Sequence, residues 1–220
     1  GSEMCIRDRT RATIAKEKGL EPLAVLISLQ NSKEPLEKEA EKYVSEEKGV
    51  KNVQEAIDGA KDILAENISD EADYRKRIRD LTFKKGTLVS AAKDEKAESV
   101  YEMYYDFTEA VSKVAGHRVL ALNRGEKEKF LSVKIEAPEE EILRYLEKKV
   151  IRKDNPYTTP VLKEVVADSY QRLIAPAIER ELRNELTEKA EDGAILVFGK
   201  NLEQPVSYTH LRAHETLRHL

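Results

Sequence analysis

The stretch NVQEAIDGAKDILAEN, residues 52–67, carries the clearest helical pattern in this chain. Its apolar side chains recur at the spacing of one helix face, and they belong to Val53, Ala56, Ile57, Ala60, Ile63 and Leu64. Asn52 is a favoured N-cap residue, and Glu55 stands where a capping box places its acidic residue. We therefore predict an amphipathic helix that ends at Asn67 and buries one face.

Three shorter helices are predicted before this stretch. The first spans residues 11–18 and ends at Gly19, a residue type favoured just past a helix end. The second begins at Pro22 and the third at Pro35, since proline suits the first turn of a helix. Gly49 is predicted to end the third. The tight turn between the first two helices is compatible with a helix-turn-helix, and a plain helical hairpin fits the same pattern.

Further helices are predicted after the opening stretch. Ser69 caps one that ends near Gly86, after two lysines that suit the C-terminal end of a helix dipole. Residues 94–111 are predicted to form another, whose aromatic side chains are spaced like core residues. Stacking platforms for single-stranded nucleic acid also use aromatic side chains, so this alternative stays open. Pro138 opens one more helix.

The last helical region begins at Pro160 and continues to about residue 202. Four of its apolar residues are spaced four apart and are predicted to form a buried row: Ile174, Ile178, Leu182 and Leu186. Pro176 is expected to kink or split this region, because proline cannot donate a hydrogen bond to the carbonyl of Arg172 and its ring crowds that carbonyl.

The middle of the chain carries the stretch HRVLALNRGE, residues 117–126. Its apolar run follows Gly116 and fits either a short helix or a short strand, and Gly125 is predicted to turn the chain. Residues 131–135 alternate apolar and polar side chains and so predict a strand. We interpret the stretch as a corner between the aromatic helix and this strand.

Together these patterns predict a mainly α protein, a multi-helix, helix-turn-helix-like bundle with at most one or two short strands. Residues 11–204 would form this helical region, which divides into two subdomains if it splits near residues 115–135. Residues 1–10 and 205–220 do not continue the helical patterns and resemble translated sequencing-adapter DNA. We expect both ends to be non-native or disordered.

The composition is typical of a soluble helical protein. Apolar residues make up 40% and charged residues 36%, with a formal net charge of −4. This balance argues against a generally basic nucleic-acid coat, so any contact with nucleic acid needs a local patch. A single cysteine excludes an intrachain disulfide. No apolar run approaches the roughly 20 residues of a membrane span, and no signal peptide is apparent, so we expect a cytoplasmic protein without membrane association.

The C-terminal residues raise one metal hypothesis. His210 and His214 are spaced as two ligands on one helix face, and His219 and Cys5 could complete a tetrahedral zinc site. His214-Glu215, however, does not stand in the order that the HExxH pattern of zinc proteases requires. We therefore predict no metal and no cofactor.

Four segments carry a recognisable pattern: GLEPLA (19–24), EAIDGAKDILAENISDEADYRKRIR (55–79), HRVLALNRGEKEKFLSV (117–133) and DSYQRLIAPAIERELRNELTEKAEDGAILVFGKNL (168–202). They resemble the N-terminal helical region of the bacterial Tex transcription accessory protein family, in consistent order across about residues 11–204. The resemblance implies association with nucleic acid and the transcription machinery, and no catalytic residues in this portion. It also implies that the full-length protein has YqgF-like, helix-hairpin-helix and OB-fold domains, which this chain lacks.

Basic side chains are the candidate contacts with RNA or DNA, because the planar guanidinium of arginine suits phosphate. We predict weak, sequence-tolerant binding through Arg75, Arg79, His117, Arg118, Arg124, Arg172, Arg180 and Arg183. The alternative for each arginine is a structural ion pair with a neighbouring carboxylate. For His117, a capping or buried hydrogen-bonding role fits better than a role as ligand or base.

Two functions fit these observations. The first is a non-catalytic, nucleic-acid-associated transcription accessory module, as a fragment of a larger multidomain protein. The alternative is a structural or protein-interaction scaffold that positions downstream domains or docks RNA polymerase. An enzyme is poorly supported, because the sequence shows no Ser/His/Asp set, no nucleophilic cysteine in context and no glycine-rich phosphate loop.

Overall fold

The computed structural model describes residues 8–202, with side chains described as far as residue 193. The chain divides into two compact units. Among the described residues, the first comprises 8–79 together with 139–178, and the second comprises 80–138 together with 179–202. Within the described range, no helix is both long enough and apolar enough to cross a membrane.

The first unit is helical. Its elements are α1 (Arg11–Glu17), α2 (Glu21–Leu29), α3 (Leu36–Ala40), α4 (Val53–Asp70), the start of α5 (Ala72–Lys85), α7 (Glu139–Val150), α8 (Thr159–Asp168) and a π-helical segment (Ser169–Ile174) that leads into α9 (Ala175–Leu202). Helix α4 is central, since it packs against α1, α2, α3, α8 and the π-helical segment. The predicted apolar face of α4 therefore forms the core of this unit.

Helix α4 begins as the sequence predicts and ends later. The side-chain oxygen of Asn52 accepts a hydrogen bond from the backbone N–H of Glu55 at 2.9 Å, which confirms the N-cap. The predicted end at Asn67 is wrong, because buried Ile68 extends the apolar face by another turn. Ser69 consequently lies inside α4, where its hydroxyl donates to the carbonyl of Glu66, and it does not cap α5.

Two glycines turn the chain between the first helices. Gly19 and Gly49 have φ angles of +77° and +84°, which residues with a Cβ rarely adopt. Gly19 thus separates α1 from α2 as predicted. The helix predicted to run from Pro35 to Gly49 is wrong beyond Tyr43, because α3 is followed by a single 3₁₀ turn. Gly49 lies in a turn that is closed by a β-bridge between Ser45 and Val50.

The second unit contains a small antiparallel sheet. Its strands are β1 (Thr87–Ala92), β2 (Asp106–Ala110) and β3 (Leu131–Glu136), in the order β2-β1-β3, and its described helices are the end of α5, α6 (Gly116–Lys127) and the rest of α9. The buried side of β3 faces α6. The mainly α fold class and the strand over 131–135 are confirmed. The sheet has three strands, one more than the largest number expected.

The helix predicted over residues 94–111 is wrong. Tyr101 and Tyr104 are buried, as core residues should be, but they lie in a loop with a single 3₁₀ turn, and β2 follows. Pairing with β1 decides the matter: Phe107 and Glu109 lie opposite Ser90 and Leu88, and this long-range pairing outweighs the local helical spacing.

The middle stretch is a helix, and its turn comes later than predicted. Helix α6 includes Gly125, which is buried in its last turn. A Cβ at this position would lie 2.4 Å from Cδ1 of Leu131 and 3.2 Å from Cδ1 of Tyr101. The glycine therefore allows close packing, and the chain turns instead at Lys129, whose φ is +69°.

The break expected at Pro176 takes the form of a change in helix type. Residues 169–174 are π-helical, and α9 begins directly after them, so the proline stands in the first turn of α9. The helix is continuous across this junction, because the N–H of Ala175 bonds to the carbonyl of Tyr170. The π-helical turn before the proline accommodates its missing N–H. Of the predicted apolar row, Ile174, Ile178 and Leu182 are buried.

Candidate nucleic-acid interface

Helix α6 presents a basic face. His117, Arg124 and Lys127 are exposed on this helix, and their spacing places them within about 80° of one another around its axis. We call these three residues the α6 basic face. Ala115 is the N-cap of α6, so the capping or buried role expected for His117 is wrong.

The two carboxylates at the end of α6 are already engaged. Glu126 accepts hydrogen bonds from Arg183 at 2.8 and 3.2 Å. Glu128 accepts a hydrogen bond from the hydroxyl of Tyr101. In the part of the chain that the structure describes, no carboxylate pairs with the α6 basic face. Its positive charge is therefore available to a phosphate.

Arg183 is the centre of a hydrogen-bonded network. In addition to the bonds to Glu126, its guanidinium donates to the side-chain oxygen of Asn123 at 2.9 Å and to the carbonyl of Val133 at 3.3 Å. Asn123 in turn donates to the hydroxyl of Thr187 at 2.8 Å. The side chain of Arg183 is only 19% exposed. This arginine joins α9 to α6 and β3 in the second unit.

The other two predicted arginines of the second unit differ from each other. Arg118 donates to Glu109 at 3.3 Å and lies 5.7 Å from the ring centre of Phe107. Its guanidinium is therefore already engaged in a charged hydrogen bond and a cation–π contact. Arg180 is exposed, and among the described residues it has no hydrogen-bond or ion-pair partner. Of these two, Arg180 has the guanidinium that is accessible to phosphate.

In the first unit, Arg172 is held by two carboxylates. It donates to both oxygens of Asp168, at 3.0 and 2.8 Å, and one nitrogen lies 3.8 Å from Asp62. The hydrogen bond from Arg172 lowers the pKa of Asp168 below its usual value. Burial raises the pKa of Asp62, and Arg172 partly opposes that rise. This arrangement is a structural ion-pair cluster.

Arg75 and Arg79 lie on α5, where both side chains are half-buried. Each already takes part in a polar or electrostatic interaction. Neither guanidinium is therefore as accessible to phosphate as those of Arg124 and Arg180.

The described residues include no group of three or more histidine, cysteine, aspartate or glutamate side chains that could hold a metal ion. The zinc hypothesis concerns Cys5, His210, His214 and His219, which all lie outside the described residues.

A family model described as Tex central region-like matches residues 30–198. This chain belongs to the Tex family. The resemblance to the Tex family is thereby confirmed, and the matching model, which begins after the segment 19–24, describes this part as the family's central region.

Three relatives show how far the Tex-family similarity extends. The chain is 52% identical over 199 residues to an uncharacterized protein, YdcI, of Bacillus subtilis. It is 30% identical to the transcriptional accessory protein Tex of Neisseria gonorrhoeae and 30% identical to the human S1 RNA-binding domain-containing protein 1. Each match covers 89% of this chain, but only 28%, 26% and 21% of the respective relative. The chain thus spans between a fifth and three tenths of their length.

The eight predicted contacts of this Tex-family chain do not form one cluster. Arg75, Arg79 and Arg172 belong to the first unit, and the other five belong to the second. Only His117 and Arg124 share an exposed helix face. Lys127 completes this face and was missed, because a turn was predicted at Gly125. Had residues 117–127 been interpreted as one helix, their spacing would have identified it.

Proposed function

We propose that this Tex-family chain is a non-catalytic, cytoplasmic module of transcription that contacts RNA or DNA weakly and without sequence preference. The contact is made by the α6 basic face, with Arg180 as a further exposed guanidinium of the same unit. The module acts within a longer protein that also has YqgF-like, helix-hairpin-helix and OB-fold domains.

The proposal rests on one observation about α6: its carboxylate Glu126 is ion-paired, whereas its cations Arg124 and Lys127 are exposed and have no partner among the described residues. Glu126 is ion-paired with Arg183, and Glu128 accepts from the hydroxyl of Tyr101 and, among the described residues, forms no ion pair with Arg124 or Lys127. Arg124 and Lys127 remain exposed. Exposed cations in register on one helix suit the phosphate backbone, which is read without regard to base identity. The names of the gonococcal and human relatives, one a transcriptional accessory protein and one an S1 RNA-binding protein, support the same function.

A salt titration tests this proposal. A labelled single-stranded RNA and a labelled DNA duplex are titrated with the chain, and fluorescence anisotropy is measured between about 50 and 200 mM salt. With three phosphate contacts we expect the logarithm of the binding constant to fall with the logarithm of salt concentration with a slope of about −2 to −3. Absence of binding at the lowest salt concentration would remove the proposal for this chain.

Charge-removal variants locate the contact. Replacing both Arg124 and Lys127 with alanine should weaken binding and reduce the slope by about two. Lys134→Ala is the matched control, because Lys134 is also an exposed cation of the second unit, and it lies 3.4 Å from Glu136. If the double variant has no larger effect per charge removed than the control, binding does not involve the α6 basic face.

A second candidate function is a protein-interaction scaffold that docks RNA polymerase. The observation that favours it lies on α2, where Val25 and Leu29 are 51% and 56% exposed, one turn apart. Two exposed apolar side chains on one helix face are suited to a protein partner. Capture of RNA polymerase by the chain, lost on replacing both residues with serine and unaffected by high salt, would favour this function.

A further inference from the structure

The two outer edges of the sheet in the second unit differ. Along β3, the outward N–H of Ile135 donates to Glu179 at 3.0 Å, and the outward carbonyl of Val133 accepts from Arg183 at 3.3 Å. Side chains of α9 therefore occupy one outward N–H and one outward carbonyl of this edge. Closing an edge in this way prevents another strand from adding to it.

The outer edge of β2 has no such cover. The backbone N–H of Ala92 donates to the carbonyl of Tyr105, and the N–H of Val111 donates to the carbonyl of Gly86. Tyr105 and Val111, which flank β2, therefore turn these backbone groups toward β1. In an antiparallel pair this direction alternates, so Asp106 and Thr108 turn their N–H and carbonyl groups outward. Among the described residues, β2 pairs with β1 alone, and those outward groups of Asp106 and Thr108 have no protein partner.

The turn before β2 adds two exposed apolar side chains. Val100 is 83% and Met103 is 70% exposed, although the residues that directly follow them, Tyr101 and Tyr104, are buried. The turn is well ordered by hydrogen bonds: the hydroxyl of Tyr105 donates to the carbonyl of Ala97 at 2.6 Å, and Ser90 donates to the carbonyl of Tyr104 at 2.8 Å. The side chains of Val100 and Met103 are therefore exposed to solvent in the turn that leads into β2.

The charge of this region indicates its partner. Residues 93–106 carry two lysines and five carboxylates, a net charge of −3, in a chain of 220 residues whose total is −4. Asp106 is exposed on the edge strand itself, and Glu102 is exposed in the turn before it. Pairing with a second copy of this edge would bring like charges together, whereas a basic segment would neutralise them.

We propose that the outer edge of β2 and the turn before it bind a basic, extended polypeptide segment of another protein as a fourth strand of this sheet. Backbone hydrogen bonds to Asp106 and Thr108 hold the segment, and its cations lie near Glu102 and Asp106. Its apolar side chains contact Val100 and Met103. This mode of recognition takes affinity from the backbone and specificity from alternate side chains.

The test uses the full chain and a labelled peptide of about ten residues that alternates lysine and valine. Binding is followed by fluorescence anisotropy. A fully N-methylated peptide of the same sequence is the control, because it keeps the charge and side chains but has no backbone donors. We expect the unmodified peptide to bind at least about tenfold more tightly. Equal affinity of the two peptides would overturn the proposal, since charge attraction alone would then explain binding.

Variants of the chain locate the site. Thr108→Pro removes an outward N–H without removing a bond to β1, and proline is tolerated on edge strands. It should weaken peptide binding about tenfold, whereas Thr108→Ala, which keeps the N–H, should bind like the unchanged chain. Circular dichroism shows whether both variants fold. Unchanged binding by folded Thr108→Pro would contradict the proposal.

Charge reversal provides an independent measurement that leaves the backbone intact. Glu102→Lys combined with Asp106→Lys should weaken binding of the lysine–valine peptide about tenfold and favour a peptide that alternates glutamate and valine. An unchanged preference would overturn the proposal, even if Thr108→Pro fails to fold. Dimers formed through this edge and detected by sedimentation would also overturn the proposal.

Discussion

Arg183 and Glu126 form a two-point ion pair between α9 and α6, with nitrogen–oxygen distances of 2.8 and 3.2 Å. The same guanidinium reaches Asn123 and the carbonyl of Val133, so one side chain joins two helices and a strand. An arginine that satisfies three groups in this way stabilises the unit, and it pairs with Glu126, which therefore does not pair with Arg124 or Lys127.

Removing this arginine should destabilise the chain. Arg183→Ala leaves the half-buried Glu126 and the carbonyl of Val133 without their donor, and we expect the free energy of unfolding to fall by about 2–4 kcal/mol. Arg183→Lys should recover only part of this loss, because lysine lacks the planar fork. Urea unfolding measures the effect. Arg180→Ala is the control, and a change there beyond about 0.5 kcal/mol would contradict our description of Arg180 as an exposed side chain without a partner.

Gly125 should not tolerate a side chain. Although alanine favours helix, Gly125→Ala would place its Cβ 2.4 Å from Cδ1 and 2.8 Å from Cγ of Leu131, a fully buried residue. We expect a loss of about 1–3 kcal/mol in the free energy of unfolding. Gly193→Ala is the matched control in α9, because no heavy atom lies within 4 Å of its added Cβ. That variant should be neutral or up to about 1 kcal/mol more stable in urea unfolding.

Gln30 should be a stability determinant of the first unit. It is 5% exposed, and its side-chain amide accepts from the N–H groups of Arg152 and Lys153 and donates to the carbonyl of Val150. Its φ is +58°. Gln30→Ala should lower the free energy of unfolding by about 2–3 kcal/mol and speed hydrogen exchange at Arg152 and Lys153.

The backbone part of this effect can be separated with glycine. Gln30→Gly removes the same amide but suits a positive φ, so it should cost about 1 kcal/mol less than Gln30→Ala. Equal losses for both variants, measured by urea unfolding, would show that the left-handed conformation at this position is not maintained in the variants.

Asp168 should make the free energy of unfolding depend on pH. The hydrogen bond from Arg172 lowers the pKa of Asp168 in the folded chain. A lowered folded pKa stabilises the fold above the ordinary aspartate value of about 4, and this contribution is lost as pH falls through the folded pKa. Asp168→Asn should therefore have a lower urea midpoint than the unchanged chain at pH 7. The difference should disappear below the folded pKa, and a difference that persists there would contradict an ionic cause.

Helix α4 shows how far local pattern determines structure. Its N-cap and its buried face follow from Asn52, Glu55 and the apolar spacing, because capping and amphipathicity act within a few residues. Its end could not be predicted in the same way. Asn67 is a reasonable local stop, but burial of Ile68 continues the helix, and burial depends on what packs against it.

The α6 basic face shows the same limit at the candidate site. The sequence identifies the basic residues, yet it does not separate Arg183, which is bound to Glu126, from Arg124, which is exposed. The partner of Arg183 lies 57 residues away in the sequence, so the distinction between structural and available charge requires tertiary contacts.

Residue patterns alone predict that this protein is mainly helical, where its central helix begins and that it belongs with the Tex family, since each prediction rests on residues close together or on matched segments. Tertiary contacts are needed to show that residues 106–110 form a strand beside β1, that Gly125 packs within a helix and that one sheet edge is covered while the other is open. Each of these depends on contacts with residues outside the element itself, which the spacing of residues within that element does not encode.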